Sequence, residues 1–170
     1  EDELYIHIRS GDIFGKNPCP IYGQPPLCFY ENIIKKWKFK RVFVLTENTR
    51  NPVIEPLVDK YKASLIMTDL PTTISYILSA RNLVLSWGTF VPSLLKLVPD
   101  DPGKRVFRYG NSMEYGIDVW SEILFIQPSS YYTKHVLSSN WRNTEEQRGI
   151  MLNETCDDDD NWHAFKYLDD

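Results

Sequence analysis

The chain has no excess of positive charge, no long apolar run and no metal-ligand spacing. Its 19 Lys and Arg face 23 Asp and Glu, a formal net charge of -4. A sequence-independent nucleic-acid binder needs the opposite balance, because cations must displace the counterions of the phosphates. Nucleic acid is therefore not an expected partner, and any anion site has to be local. No apolar stretch approaches the roughly 18 residues of a membrane span, and the start of the chain has neither the charged nor the apolar region of a secretory signal. The chain does not open on Met and enters a strand pattern within a few residues. It reads as a piece of a longer protein whose targeting segments lie elsewhere.

Cysteine is scarce. Cys19, Cys28 and Cys156 fit no metal-ligand spacing, and no metal site is expected. Cys19 and Cys28 flank "PIYGQPPL". They either close that loop as a disulfide in a secreted protein or remain two unrelated thiols. The triplet "NET" at Asn153 is compatible with a secretory lumen.

What is present is enough for a folded domain. At 170 residues the chain can bury roughly 70% of the surface its unfolded form exposes, and its 42% hydrophobic content supplies a core. Short runs rich in β-branched and aromatic residues mark strands at Leu4 to Ile8, Arg41 to Thr46, Ala63 to Thr68, Asn82 to Ser86 and Arg105 to Tyr109. Helical patterns lie between them, at Pro26 to Lys38, Pro52 to Lys62, Pro71 to Ala80 and Thr89 to Val98. Three of these open on Pro, which suits a first helical turn. Strict alternation implies parallel strands joined by right-handed crossovers. The expected fold is α/β, a Rossmann-like parallel sheet of about five strands with helices on both faces and an irregular C-terminal extension. Residues 1–112 are expected to form this Rossmann-like domain, 113–152 the extension packing on it, and 153–170 an acidic, mobile tail that includes the run Asp157 to Asp160. One further helix is expected at "NTEEQRGIML", capped by Asn143 with Glu146 three residues on.

In such sheets ligands collect beyond the carboxyl ends of the strands, near the point where strand order reverses. That rule selects "RSGDIF", "TENT" and "SWGTF". Arg9 ends strand 1 with a permanently charged fork suited to phosphate oxygens. Gly11 lets the chain turn sharply, and Asp12 either ties that turn to Arg9 or serves as a base, the tie being favoured. His7 is a hydrogen-bonded core residue or faces a ligand. After strand 4, Ser86, Gly88, Thr89 and Phe90 open a helix whose first amides suit an anion, although the same residues also serve as ordinary caps. Trp87 stands inside this turn. Trp37 and Trp120 read as packing residues, and His135 and His163 as surface residues.

"HIRSGD" resembles the His-x-Arg-Arg-Gly-Asp signature of GDP-fucose-dependent fucosyltransferases of the α1,2, α1,6 and protein O-fucosyltransferase group. "VFVLTEN" and "SARNLVLSWGTF" resemble later segments of the same domain, in the same order, over Leu4 to Val98. The resemblance implies the carboxyl-terminal, donor-binding half of a GT-B enzyme, acting with inversion and without a metal. It implies no cofactor, only GDP-fucose as donor, with a glycan or protein as acceptor and a missing N-terminal half as structural partner. By the same resemblance Arg9 contacts the β-phosphate and is needed for activity; Asp12 is the second catalytic candidate, as a base or as the tie to Arg9. His7, Gly11, Thr46, Ser86, Trp87, Gly88, Thr89 and Phe90 line the nucleotide site. For a eukaryotic source it implies the lumen of the Golgi or the endoplasmic reticulum. Two positions depart from the pattern: Ser10 replaces the second arginine, and "PTTIS" around Thr73 offers hydroxyls where an aspartate reads guanine, Asp69 lying one turn earlier. A catalytically degenerate nucleotide- or glycan-binding module and an unrelated α/β domain with a structural Arg and Asp pair are the alternatives.

Overall fold

The computed structural model describes residues 2–97, 103–110, 122–156 and 162–165. Seven strands form one sheet: β1 (Glu3–His7), β2 (Arg41–Leu45), β3 (Ser64–Ile66), β4 (Asn82–Val84), β5 (Arg105–Tyr109), β6 (Glu122–Ile126) and β7 (Trp162–Phe165). Their spatial order is β3-β2-β1-β4-β5-β6-β7. The first six run parallel, and β7 is antiparallel to β6. Order 3-2-1-4-5-6 is that of a doubly wound Rossmann-like sheet, whose reversal falls between β1 and β4.

Side-chain alternation along the strands sorts the core into two layers. Leu4, Ile6 and Ile8 point to the face covered by α1 (Leu27–Trp37), α2 (Ile54–Tyr61), α5 (Ser130–His135) and α6 (Glu145–Asn153), where they meet Phe29, Ile33, Leu57, Tyr132 and Met151. Leu45, Leu83, Leu85 and Val106 point the other way, onto Ile77 of α3 (Leu70–Ser79) and Val91 and Leu95 of α4 (Phe90–Leu95). Helix α1 forms because Phe29, Tyr30, Ile33 and Ile34 recur at helical spacing and are all buried. Its end is set by Lys38 in the left-handed region, at φ 54°.

Two strands come from segments expected to be irregular. The "EILFI" run makes β6, which continues the parallel sheet, and β7 adds an edge strand from within 153–170. The described part of that segment is clamped: Trp162 stacks on Phe29 with ring centroids 6.1 Å apart and meets Trp37 edge-on at 5.0 Å. The Asp157 to Asp160 run and Trp120 lie outside the described residues. Trp37 is a packing residue, edge-on to Phe107 at 4.8 Å.

The disulfide joins Cys28 to Cys156, whose Cα atoms are 5.6 Å apart, and Cys19 is free and exposed. Of the two alternatives for Cys19 and Cys28, the loop-closing disulfide is not formed, and Cys28 is not a free thiol either because it pairs with Cys156. Helix α6 packs against α1, which brings the chain leaving α6 to the first turn of α1, where Cys28 sits. The α6 cap is also shifted by one residue. Asn143 is left-handed at φ 56° and donates its Nδ2 to Gly15 O, while Thr144 forms a capping box with Gln147.

Candidate functional site

A cleft of about 510 Å³ opens at the carboxyl ends of β1, β2, β3 and β4, beside the reversal between β1 and β4. Its walls combine residues from five segments: His7 and Arg9 at the end of β1, Tyr22 from the loop before α1, Thr46 and Glu47 after β2, Thr68, Leu70 and Thr73 around the start of α3, and Ser86 with Gly88 to Val91 after β4.

The cleft's cation is Arg9. Its Nη2 bonds both carboxylate oxygens of Asp12, at 3.0 and 3.3 Å, and its guanidinium lies 4.1 Å above the centre of the Tyr22 ring. The Arg9 side chain is one-quarter exposed, whereas Asp12 is 70% exposed. The ring and the carboxylate orient the fork without withdrawing it from the cleft. Gly88 stands on its other edge, since a Cβ there would lie 3.4 Å from Nη1. The guanidinium and the turn after β4 therefore meet across the strand reversal.

His7 is buried behind this pair. Its Nδ1 is 3.0 Å from Ser86 Oγ, and its ring is tilted against Phe90 at 5.7 Å. Burial lowers its pKa from 6.5 to about 4, and the neighbouring Arg9 charge adds to the shift. At neutral pH it is an uncharged hydrogen-bonding group rather than a second cation.

Ser10 and Gly11 shape the floor. Ser10 is fully buried; its Oγ donates to Asn48 Oδ1 at 2.7 Å and accepts from Asn51 N at 2.9 Å. Asn51 Nδ2 in turn donates to Arg9 O at 3.0 Å. Ser10 therefore knits the loop after β1 to the loop after β2, a position with no room for a long cation. The Glu47 carboxylate accepts from Ser10 N at 3.1 Å, and a Cβ on Gly11 would stand 2.6 Å from that same oxygen. A side chain at Gly11 would therefore have to displace the Glu47 carboxylate from Ser10 N, and Gly11 does not line the cleft.

Trp87 faces away from the cleft. It packs against the α1 side of the core, its ring 3.1 Å from where a Cβ on Gly110 would sit, and its carbonyl accepts from the buried Gln24 Nε2 at 2.9 Å. The expected anion cradle is also shorter than the sequence suggested. α4 has six residues, and Thr89 caps it without a side-chain hydrogen bond. So short a helix has little dipole, which leaves the positive potential to Arg9. Asp69 caps α3 by accepting from Thr72 N at 2.9 Å, and hydrogen bonds from the Thr72 side chain and backbone lower its carboxyl pKa; Thr73 of the same segment reaches the cleft beside Leu70.

Of the residues selected from sequence, His7, Arg9, Thr46, Ser86, Gly88, Thr89 and Phe90 converge on one cavity. Tyr22, Glu47, Thr68, Leu70 and Val91 join them. Thr68 follows β3 as Thr46 follows β2, so the carboxyl-end rule applied to every strand finds it. Tyr22 lies in a proline-rich loop without periodicity, and only the folded chain places it on Arg9. Among the described residues no group of three His, Cys, Asp or Glu is arranged to hold a metal ion. No helix among them is long and apolar enough to cross a membrane.

No family model, curated protein or solved structure matches the chain. What the cleft does has to follow from its own chemistry.

Proposed function

We propose that this cleft receives the diphosphate of a nucleotide sugar, and that the chain is the donor-binding half of a GT-B glycosyltransferase of the GDP-fucose-dependent kind. The observation that carries the reading is the meeting of Arg9 with the Gly88 turn in a cleft at the strand reversal. A doubly wound sheet presents ligands there, and an arginine fork matches phosphate oxygens. In the transfer, an acceptor hydroxyl oxygen bonds to the anomeric carbon from the face opposite the nucleotide. The bond from that carbon to the β-phosphate oxygen breaks, GDP leaves with the electron pair, and the hydroxyl proton passes to a base on the acceptor side. Charge grows on the departing phosphate, where Arg9 stabilises it; loss of one such donor typically costs a factor of about 100 to 1000 in rate. Asp12 orients the guanidinium through their ion pair. Ser86 with neutral His7, Thr46, Thr73 and Thr89 offers hydrogen bonds to ribose and base, and Phe90 offers an apolar wall. The acceptor is a glycan or protein docked in the cleft against the enzyme's other half. The Cys28 to Cys156 disulfide supports a lumenal compartment such as the Golgi or endoplasmic reticulum.

Calorimetric titration of GDP, UDP and ADP at low salt into the chain and into Arg9→Ala tests the reading. GDP-selective binding that disappears in the variant supports it; a folded chain that binds no diphosphate sinks it. One observation favours a second reading, a binding module without chemistry. Ser10, where the resembled signature has a second arginine, is locked into a buried loop tie, which leaves the cleft a single arginine. GDP binding without release of GDP from GDP-fucose, even with a supplied acceptor and N-terminal half, selects that reading.

A further inference from the structure

Away from the cleft, α5 and the end of α6 frame a shallow groove of about 330 Å³, lined by Tyr131, Glu146, Gly149, Ile150, Asn153 and Glu154. Asn153 is the last residue of α6 and begins the triplet Asn153-Glu154-Thr155, which is the acceptor pattern for asparagine-linked glycosylation. We propose that Asn153 carries an N-linked oligosaccharide whose first sugar lies in this groove.

Four features converge on the site. Asn153 and Thr155 are both exposed. The backbone leaves the helix at Glu154, with φ -58° and ψ 144°, so the Thr155 hydroxyl is presented on extended chain rather than on the helix. The Glu154 carboxylate is engaged by α5, its Oε1 accepting from Ser129 Oγ, the α5 cap, at 2.6 Å. Cys156, the residue after the triplet, is in a disulfide with Cys28. Disulfides persist in oxidising compartments, and asparagine-linked glycosylation proceeds in the same lumen. The compartment is thus reported by a bond independent of the proposed donor site.

The groove fits a sugar. A Cβ on Gly149 would meet nothing within 4 Å, so the helix surface one turn before Asn153 is open. Tyr131 is 52% exposed and offers an aromatic ring to the apolar face of a pyranose. Asn153 Nδ2 donates to Gly149 O at 2.8 Å, an exposed bond that competes with water and is given up on modification. In the modification Nδ2 bonds to the anomeric carbon of a lipid-pyrophosphate-linked oligosaccharide. The bond from that carbon to the pyrophosphate oxygen breaks, the lipid pyrophosphate leaves with the electron pair, and one amide proton is lost to a base of the transferring enzyme.

The test is expression of the whole chain behind a cleavable signal peptide in eukaryotic cells, with the disulfide verified by mobility with and without reductant. Peptide N-glycosidase in ¹⁸O-water converts a glycosylated Asn153 to labelled aspartate, read by mass spectrometry. Label at Asn153 in the wild type and in Thr155→Ser, and none in Thr155→Ala, is the expected result. An oxidised wild-type chain with unmodified Asn153 overturns the proposal, and the same readout on chain translated into microsomes decides the matter if secretion fails. The groove is tested separately. Removal of the glycan is expected to lower Tm more in the wild type than in Tyr131→Ser, and equal shifts overturn the placement of the sugar.

Discussion

The imidazole Nδ1 of His7, the last residue of β1, lies 3.0 Å from the Oγ of Ser86, two residues beyond β4. This contact spans the strand reversal and ties the end of β1 to the turn after β4, two of the segments that form the cleft. Because His7 is buried beside Arg9 and its pKa is lowered to about 4, the ring that makes this tie is uncharged at neutral pH.

The sign of the resulting pH dependence follows from linkage. An unfolded histidine takes up its proton near pH 6.5, whereas folded His7 resists protonation until about pH 4. The stability that neutral His7 contributes is complete above about pH 6.5 and is lost as pH falls through that window. A difference of this size corresponds to a loss on the order of 3 kcal/mol. Urea unfolding across the window in wild type and His7→Asn should show a steeper fall in the wild type. Parallel curves would mean that His7 does not carry the effect.

Asp12 is more exposed than the arginine it holds, so their ion pair contributes little to stability, about 0 to 1 kcal/mol. Its negative charge nevertheless offsets the cation of the proposed diphosphate site. Asp12→Asn is expected to leave the urea midpoint nearly unchanged while tightening GDP binding severalfold at low salt, with the gain shrinking as salt rises. Weaker binding would show that orientation of Arg9 outweighs the relief of charge.

Ser10 is a structural residue in a position where the resembled signature has a cation. Ser10→Ala removes the acceptor for the buried Asn51 N–H and the donor to Asn48, an expected loss of about 1 to 3 kcal/mol. Ser10→Arg should be worse, because a long cation replaces a fully buried hydroxyl. Chemical denaturation measures both, and a neutral Ser10→Arg would refute the packing account.

The disulfide between Cys28 and Cys156 joins residues 128 apart in sequence and anchors the chain that leads to β7. Cys156→Ser is expected to cost about 2 to 4 kcal/mol. Limited proteolysis of that variant should cut first between α6 and β7. Cleavage elsewhere would mean that the sheet edge holds without the bond.

Much of this molecule was legible from sequence because local periodicity reports burial. The alternation at Leu4 to Ile8 and the amphipathic spacing of Phe29, Tyr30, Ile33 and Ile34 are consequences of which side meets the core. Strict alternation of strands and helices then led to the parallel sheet, and the rule that ligands sit at the carboxyl ends of its strands led to Arg9, Ser86 and Gly88. β7 escaped because an edge strand of four residues is stabilised by neighbours, here Trp162 against Phe29 and Trp37, rather than by a pattern of its own.

The sequence by itself determined the α/β class, the parallel character of the sheet and the chemical type of the cleft's cation, since these depend on local hydrophobic pattern and residue identity. Only the tertiary structure decided that Cys28 pairs with Cys156, that Tyr22 lies under Arg9, that Ser10 is a buried tie and that Trp87 faces the core. Each of these is a meeting between segments distant along the chain. No periodicity encodes such a contact; it exists once helices and strands have packed and their side chains must share the same space.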